Sequence, residues 1–331
     1  MTQEPAGDHR AQHVTRPRGP KRKFGFALLA VIWGVGVISL LVVAFMSTGR
    51  LRLQAAHNIA SATQASYVAE GVVNLAALAL LAQRDSVAAQ PEGPVYDGAP
   101  RYCVFEGAAV AVGVEDEGGK IDINAAAPEV LKAVLMGLGL DMRAADSIAN
   151  AIVAFRSAPT EGLGRPGLAA NGGDKPFAPK RALFQTIMEL DQVSGIDPAL
   201  FRELTPYVTV HSHSSGVDAR AAPPALFAAL IGLQSAEVRA IAAMPYPNRL
   251  DRRDPRFPAN INQRGDRSAF LIHVEALLAT GQTAAKDALV DLRAGLAEQQ
   301  FAIREMRRGR SRYVDRLRAM IASNGAGVPD C

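Results

Sequence analysis

The sequence predicts an α+β fold: one long N-terminal helix, then an antiparallel sheet interrupted by a large helical insertion. Three observations carry this. No charged residue occurs from Phe24 to Gly49, and no proline from there to Gln83. Segments that alternate apolar and polar residues lie on both sides of a block with helical periodicity. Within that block, Val217–Met244 echoes the stretch that begins at Ile121.

The first element is set by charge and hydropathy. The formal net charge is +4, and the first 25 residues account for it: Arg10, Arg16, Arg18, Lys21, Arg22 and Lys23 against Glu4 and Asp8. The remaining 306 residues hold 30 basic and 30 acidic side chains, from totals of 36 and 32 less those six and two. A near-neutral body does not bind nucleic acid by charge alone. The apolar run is longer than the about 7–15 residues of a cleavable secretion signal, and Ser47-Thr48-Gly49 is a poor cleavage site. A helix of this length crosses a bilayer core of about 30 Å. The basic residues before it leave the N-terminus in the cytoplasm and the body outside. Beyond the span, apolar residues at Leu53, Ala56, Ile59 (or Ala60), Ala65, Val68 and Val72 keep helical spacing, so one helix of roughly 85 Å can run from Phe26 to Gln83.

After the connector PEGPVYDGAP, "RYCVFEGAAVAVGVEDEGGKIDIN" reads as short strands with tight turns, and Glu117-Gly118-Gly119 is the hairpin signal. Pro128 and Glu129 start a helix that Gly137 or Gly139 stops, and "RAADSIANAIVAFR" is the next helix. A Gly/Pro-rich loop runs from Ser157 to Pro179. In "RALFQTIMELDQVSGIDPALFRELTPYVTV" a helix, a Ser-Gly turn, a helix starting at Asp197-Pro198 and a short strand follow. In the echo, Asp122 matches Asp218, Ala125-Ala126 matches Ala221-Ala222, and Pro128 matches Pro224, so each unit reads strand, helix, Gly turn, helix. "RSAFLIHVEALLA" puts Phe270, Ile272 and Val274 on one strand face, and "KDALVDLRA" and "FAIREMRRG" are further strands.

The basic leader, the Lys23-Phe24-Gly25-Phe26 junction and the apolar half-helix followed by an amphipathic one resemble the N-terminus of type IV pilin-like proteins. "DEGGKIDINAAAPEVL", "ADSIANAIVAFR", "LDQVSGIDPALFRELTPYVTV" and "VDARAAPPAL" resemble the K-type minor pseudopilin of type II secretion (GspK family) along most of the chain. Arg220 stands where that family usually has asparagine. The resemblance implies a pilin-like sheet carrying a helix-hairpin-helix (SAM-like) insertion. It implies domains at 1–25 (leader), 26–90 (helix, membrane span about 26–46), 91–123 (first sheet part), 124–265 (insertion) and 266–331 (remaining strands and tail). A prepilin peptidase would cut after Gly25 and methylate Phe26. Leu28, Leu29, Ala30, Val31, Ile32 and Trp33 would first lie in the inner membrane and then in a filament core. Ala30 occupies the fifth mature position, where pilins usually carry glutamate and the K branch an apolar residue. The partners implied are the I- and J-type minor pseudopilins, the major pseudopilin and prepilin peptidase, with the C-terminal body periplasmic.

No cofactor is expected; calcium is the one candidate, with Asp116, Glu117, Asp122 and Asp174 as oxygen donors that lack a regular calcium-loop spacing. His211 and His213 would share a strand face, without a third ligand. Cys103 and Cys331 define no framework: one bridge is open to them in an oxidising compartment, while the position of Cys331 as last residue argues for a mobile thiol. Seven arginines from Arg304 to Arg318 form a solvated surface or one facing an acidic partner. The turns Val193-Ser194-Gly195-Ile196 and Leu230-Ile231-Gly232-Leu233 carry few basic residues, so they read as packing devices rather than phosphate grips. The alternative is a membrane-anchored helix-hairpin-helix protein that binds DNA or another extracytoplasmic partner. No Gly-x-Ser-x-Gly, His-Glu-x-x-His or phosphate-loop pattern occurs, so no enzyme is expected.

Overall fold

A computed structural model of the 331-residue chain describes residues 24–87, 94–157, 180–244, 252–265, 267–293, 301–323 and 329–331. Residues 158–179, where the Gly/Pro-rich loop was expected, and Asp174 with them, lie outside the described residues. The chain divides into two units, Met1–His57 and Asn58–Cys331.

In the first unit, helix α1 (Phe24–Val87) begins. Ser47 and Thr48 do not break it, because their hydroxyls donate back to the Ala44 carbonyl at 2.9 and 2.8 Å. Such back-bonding satisfies a polar side chain inside a helix. The apolar run is exposed on every face: Phe26 at 73%, Trp33 at 75% and Phe45 at 82%.

In the second unit, α1 packs on a sheet through Ala65, Val68, Ala69, Val72, Val73, Ala77 and Leu80. These positions recur every three or four residues, one helical stripe. The sheet opens with the hairpin of β1 (Arg101–Phe105) and β2 (Ala108–Asp116). Its two-residue turn is Glu106-Gly107, both with positive φ, 50° and 73°. That geometry suits the right-handed twist of paired strands. Glu117-Gly118-Gly119, the expected hairpin turn, is instead a short 3-10 turn capped by the Asp116 side chain.

The helical domain follows. Strand β3 (Ile121–Asp122) pairs in parallel with β4 (Val208–Thr209), not with the large sheet, so the insertion starts before Ile121. Between them lie α2 (Pro128–Gly137), α3 (Met142–Arg156) and α4 (Pro198–Leu204). The helix expected before Ser194-Gly195 is only a 3-10 segment, Ile187–Gln192. Helices α5 (Pro224–Leu230) and α6 (Ser235–Ala243) complete the domain. Its core includes Ile121, Leu131, Leu135, Ile152, Leu190, Leu204, Leu226 and Phe227. Where α2 meets α5, a Cβ on Gly137 would lie 2.5 Å from that of Ala229, so only glycine permits this approach.

The chain then returns to the sheet as β5 (Ala269–Leu277), β6 (Thr283–Asp291) and β7 (Ala302–Arg308). The order is β1-β2-β5-β6-β7, antiparallel throughout. Phe270, Ile272, Val274 and Ala276 face α1, as the period of two requires. The opposite face is covered by α7 (Val314–Ala322), with Leu317 and Met320 against Ala109, Ala111 and Leu277.

Candidate functional site

The residues read from sequence as membrane and filament contacts lie together on α1. Gly25 and Phe26 fall in its first turn. Leu28, Leu29, Val31 and Ile32 are 63–68% exposed, and Ala30 is exposed as well. An 18-residue window here has a mean hydropathy of 2.7, and none of it is buried. A helix that is apolar all round demands lipid or protein on all sides. Each large side chain left in water forgoes about 1.5–3 kcal/mol. Leu53 (74%) and Ile59 (68%), which keep the helical spacing, are exposed too. In the second unit Tyr67 (69%) and Leu78 (53%) are exposed on the side of α1 away from the sheet.

The helical domain is built twice from one local plan. Asp122 and Asp218 each accept from the backbone two residues on, Asn124 and Arg220, at 2.8 and 2.9 Å. Their carbonyls then accept from Ala126 and Ala222. Proline opens each following helix. Each ends with glycine in a left-handed conformation, Gly139 (φ 102°) and Gly232 (φ 80°). Leu140 and Leu233 donate back to Leu135 and Ala228, the Schellman pattern. The α5 helix has 7 residues and α2 has 10, a difference close to one turn. Both ends of the shorter helix therefore keep their faces. Side chains then cap the next helices: Asp141 bonds the Arg143 and Ala144 amides, and Gln234 with Glu237 forms a capping box.

Asn124 and Arg220 are where the two copies differ in kind. The Asn124 amide donates to the Phe184 carbonyl and accepts from its N–H at 2.9 and 2.8 Å. An arginine has no acceptor to reproduce this.

Of the acidic residues named as calcium candidates, the described three, Asp116, Glu117 and Asp122, have protein partners. Asp116 accepts from Gly118 N and lies 3.5 Å from Arg267. Burial is the main cause that pushes its carboxyl up to about 6. Glu117 binds Lys120 at 2.7 Å, and Asp122 accepts from His213 N and Ser212 Oγ. Among the described residues no three His, Cys, Asp or Glu side chains could together hold a metal ion. His211 and His213 do not share a strand face, because β4 ends at Thr209 and His213 is left-handed with φ 52°.

Two buried ionic clusters were not legible as sites. Lys120 lies between Glu117 and Glu115, at 2.7 and 3.0 Å. Burial opposes its charge, yet the two carboxylates hold its pKa above the usual lysine value. His273 bridges Asp287 (2.6 Å) and Glu275 (3.2 Å). Glu275 also accepts from Ser311 Oγ and from the amides of Arg312 and Tyr313. The cluster ties β5 and β6 to the start of α7. Burial works against the imidazolium, but bonds to Asp287 and Glu275 raise its pKa. Alternation with Phe270, Ile272 and Val274 puts His273 and Glu275 on the opposite face, which α7, far along the chain, covers.

Cys103 and Cys331 form a disulfide. The expectation of a mobile terminal thiol fails because Val104 exchanges backbone bonds with Pro329 and Cys331, both 3.0 Å, which fastens residues 329–331 alongside β1.

None of the curated proteins matches this chain. A chain in the crystal structure of the GspK-GspI-GspJ complex from the enterotoxigenic Escherichia coli Type 2 Secretion System is similar over 78% of this chain and 100% of its own length, at 18% identity and a TM-score of 0.47. The family model described as type II secretion system (T2SS), protein K, matches residues 105–213. That segment holds β2, the α2–α3 hairpin and β4. Over those residues the chain is similar to the type II secretion system protein K family.

Proposed function

We propose that this component of the type II secretion machinery acts as a minor pseudopilin at the tip of a short periplasmic filament, by assembly rather than chemistry. Prepilin peptidase cleaves after Gly25, and Phe26 becomes the methylated N-terminus. The apolar half of α1 waits in the inner membrane, N-terminus towards the cytoplasm. It is then drawn into a bundle with the I-type, J-type and major pseudopilins. With alanine at position 30 the chain brings no carboxylate to compensate a neighbour's buried terminal amine. The bulk of the inserted helical domain obstructs a further subunit. Both features suit a subunit that caps.

The observation that carries this reading is the exposure of apolar side chains on every face of α1 from Phe26 to Met46. Exposure at Leu53 and Ile59 supports helix-to-helix packing beyond the lipid. The test is mass spectrometry of the full chain isolated from cells that carry the secretion system, with co-purification of the I- and J-type partners. N-methylated Phe26 and recovery of both partners are expected. An intact Met1 on functional protein, or salt-sensitive DNA binding, would overturn it in favour of a tethered DNA-binding protein.

A further inference from the structure

The two edges of the five-stranded sheet are treated differently. Along β1 the edge is filled by residues 329–331, held by backbone bonds at Val104 and by the Cys103–Cys331 disulfide. At the other edge, β7 pairs only with β6 among the described residues. Among the described residues no strand pairs with its outer row of N–H and C=O groups, and Arg304 to Arg308 are all exposed. An open row of this kind is a template for another strand.

Charge selects which strand. Residues 304–312 hold five arginines and one glutamate. The carboxylates beside them on β6 are already shared. Asp291 lies 3.3 Å from Arg304 and 3.8 Å from Arg293. Asp287 lies 3.5 Å from Arg307 and is bonded to His273. Arg308 and Arg310 have no carboxylate partner among the described residues. The same row of charge repels a second copy of β7, because like charges opposed across a strand pair are destabilising. Met306, 37% exposed, offers one apolar contact between the arginines.

We propose that β7 is an acceptor edge: an extended segment bearing aspartate or glutamate, from another protein of the secretion filament, adds to it as a sixth strand. Main-chain hydrogen bonds supply the pairing, and the arginines supply the choice of partner. This rests on the filament reading above.

The test places a photo-reactive residue at Met306, or separately at Leu53, of the full chain in cells making the whole secretion system. Crosslinked segments are mapped by mass spectrometry. Position 306 is expected to capture an acidic segment of another filament protein. Arg308→Glu with Arg310→Glu should cut that product about tenfold or more. The Cys103–Cys331 bond should stay oxidised, and crosslinks from position 53 should persist. Capture of lipid, of a second copy or of this same chain at 306 overturns the proposal, as does a product indifferent to charge reversal. Loss at 306 with retention at 53 sinks the acceptor edge alone; loss at both sinks the filament reading with it.

Discussion

Arg156 and Arg252 each reach back 30 residues to the same point of a repeated turn, bonding the carbonyls of Ala126 at 2.7 Å and Ala222 at 2.5 Å. Arg156 also bonds the Ile123 carbonyl at 2.6 Å. Each guanidinium thus closes its hairpin unit onto the turn that begins it, and Arg252 in addition lies 3.7 Å from Asp97 and 5.3 Å over the Phe227 ring. Replacing either by methionine leaves a carbonyl without its charged donor, at about 1.5–3 kcal/mol per bond lost. Arg156→Met and Arg252→Met should therefore each lower the thermal midpoint of the full chain. Calorimetry in detergent would check this, with an unchanged midpoint in either variant counting against the account.

The α2–α5 crossing makes a second prediction. Gly137→Val adds atoms where Ala229 Cβ is 2.5 Å from even the first added carbon. Overpacking of this kind costs about 1–3 kcal/mol. The double change Gly137→Ala with Ala229→Gly should recover part of the loss, measured by denaturant titration.

The disulfide spans 228 residues of sequence. Cross-links closing long loops contribute about 2–5 kcal/mol. Cys103→Ser, or reduction of the wild type, is expected to lower the midpoint and to speed hydrogen exchange at Val104, whose amide bonds Pro329. Strands β2 and β5, paired on both sides, should stay protected.

The His273 cluster predicts a pH dependence with a definite sign. Its folded-state pKa is raised above 6.5, so its contribution is complete below 6.5 and disappears as pH climbs through the raised value. Glu275 and Asp287 are held below 4.5 and 3.8. Their contribution is present above those ordinary values and disappears as pH falls through the lowered ones. Arg312 and Arg307 face the same carboxylates. His273→Gln should be less stable than wild type by about 1–3 kcal/mol at pH 6, and the gap should narrow on the alkaline side. Melts from pH 5 to 9 read this directly.

Local periodicity made much of the fold legible. Phe270, Ile272 and Val274 named the helix-facing side of β5, and Asp122, Pro128, Asp218 and Pro224 marked the repeated units. Hydropathy marked Leu28 to Trp33 as helix surface in need of company. Long-range cover was not legible: the partner of His273 and Glu275 is a helix some 40 residues later, beginning at Val314. The hairpin turn was missed because Glu106 is an unusual residue at φ 50°, while the glycines after Glu117 advertised a turn they do not make. Leu53 and Ile59 kept the right spacing, but a spacing does not say whether the chain itself or a neighbour will cover them.

Where the helical domain leaves and rejoins the sheet, Gly118 and Gly265 nearly touch: a Cβ on the first would sit 3.3 Å from the second's Cα. A guest whose entrance and exit share one doorway puts little demand on its host. The strands could be spliced directly at that threshold, or given a cargo of different size, without altering their register. Diversity in this architecture can accordingly accumulate in the passenger while the platform stays unchanged.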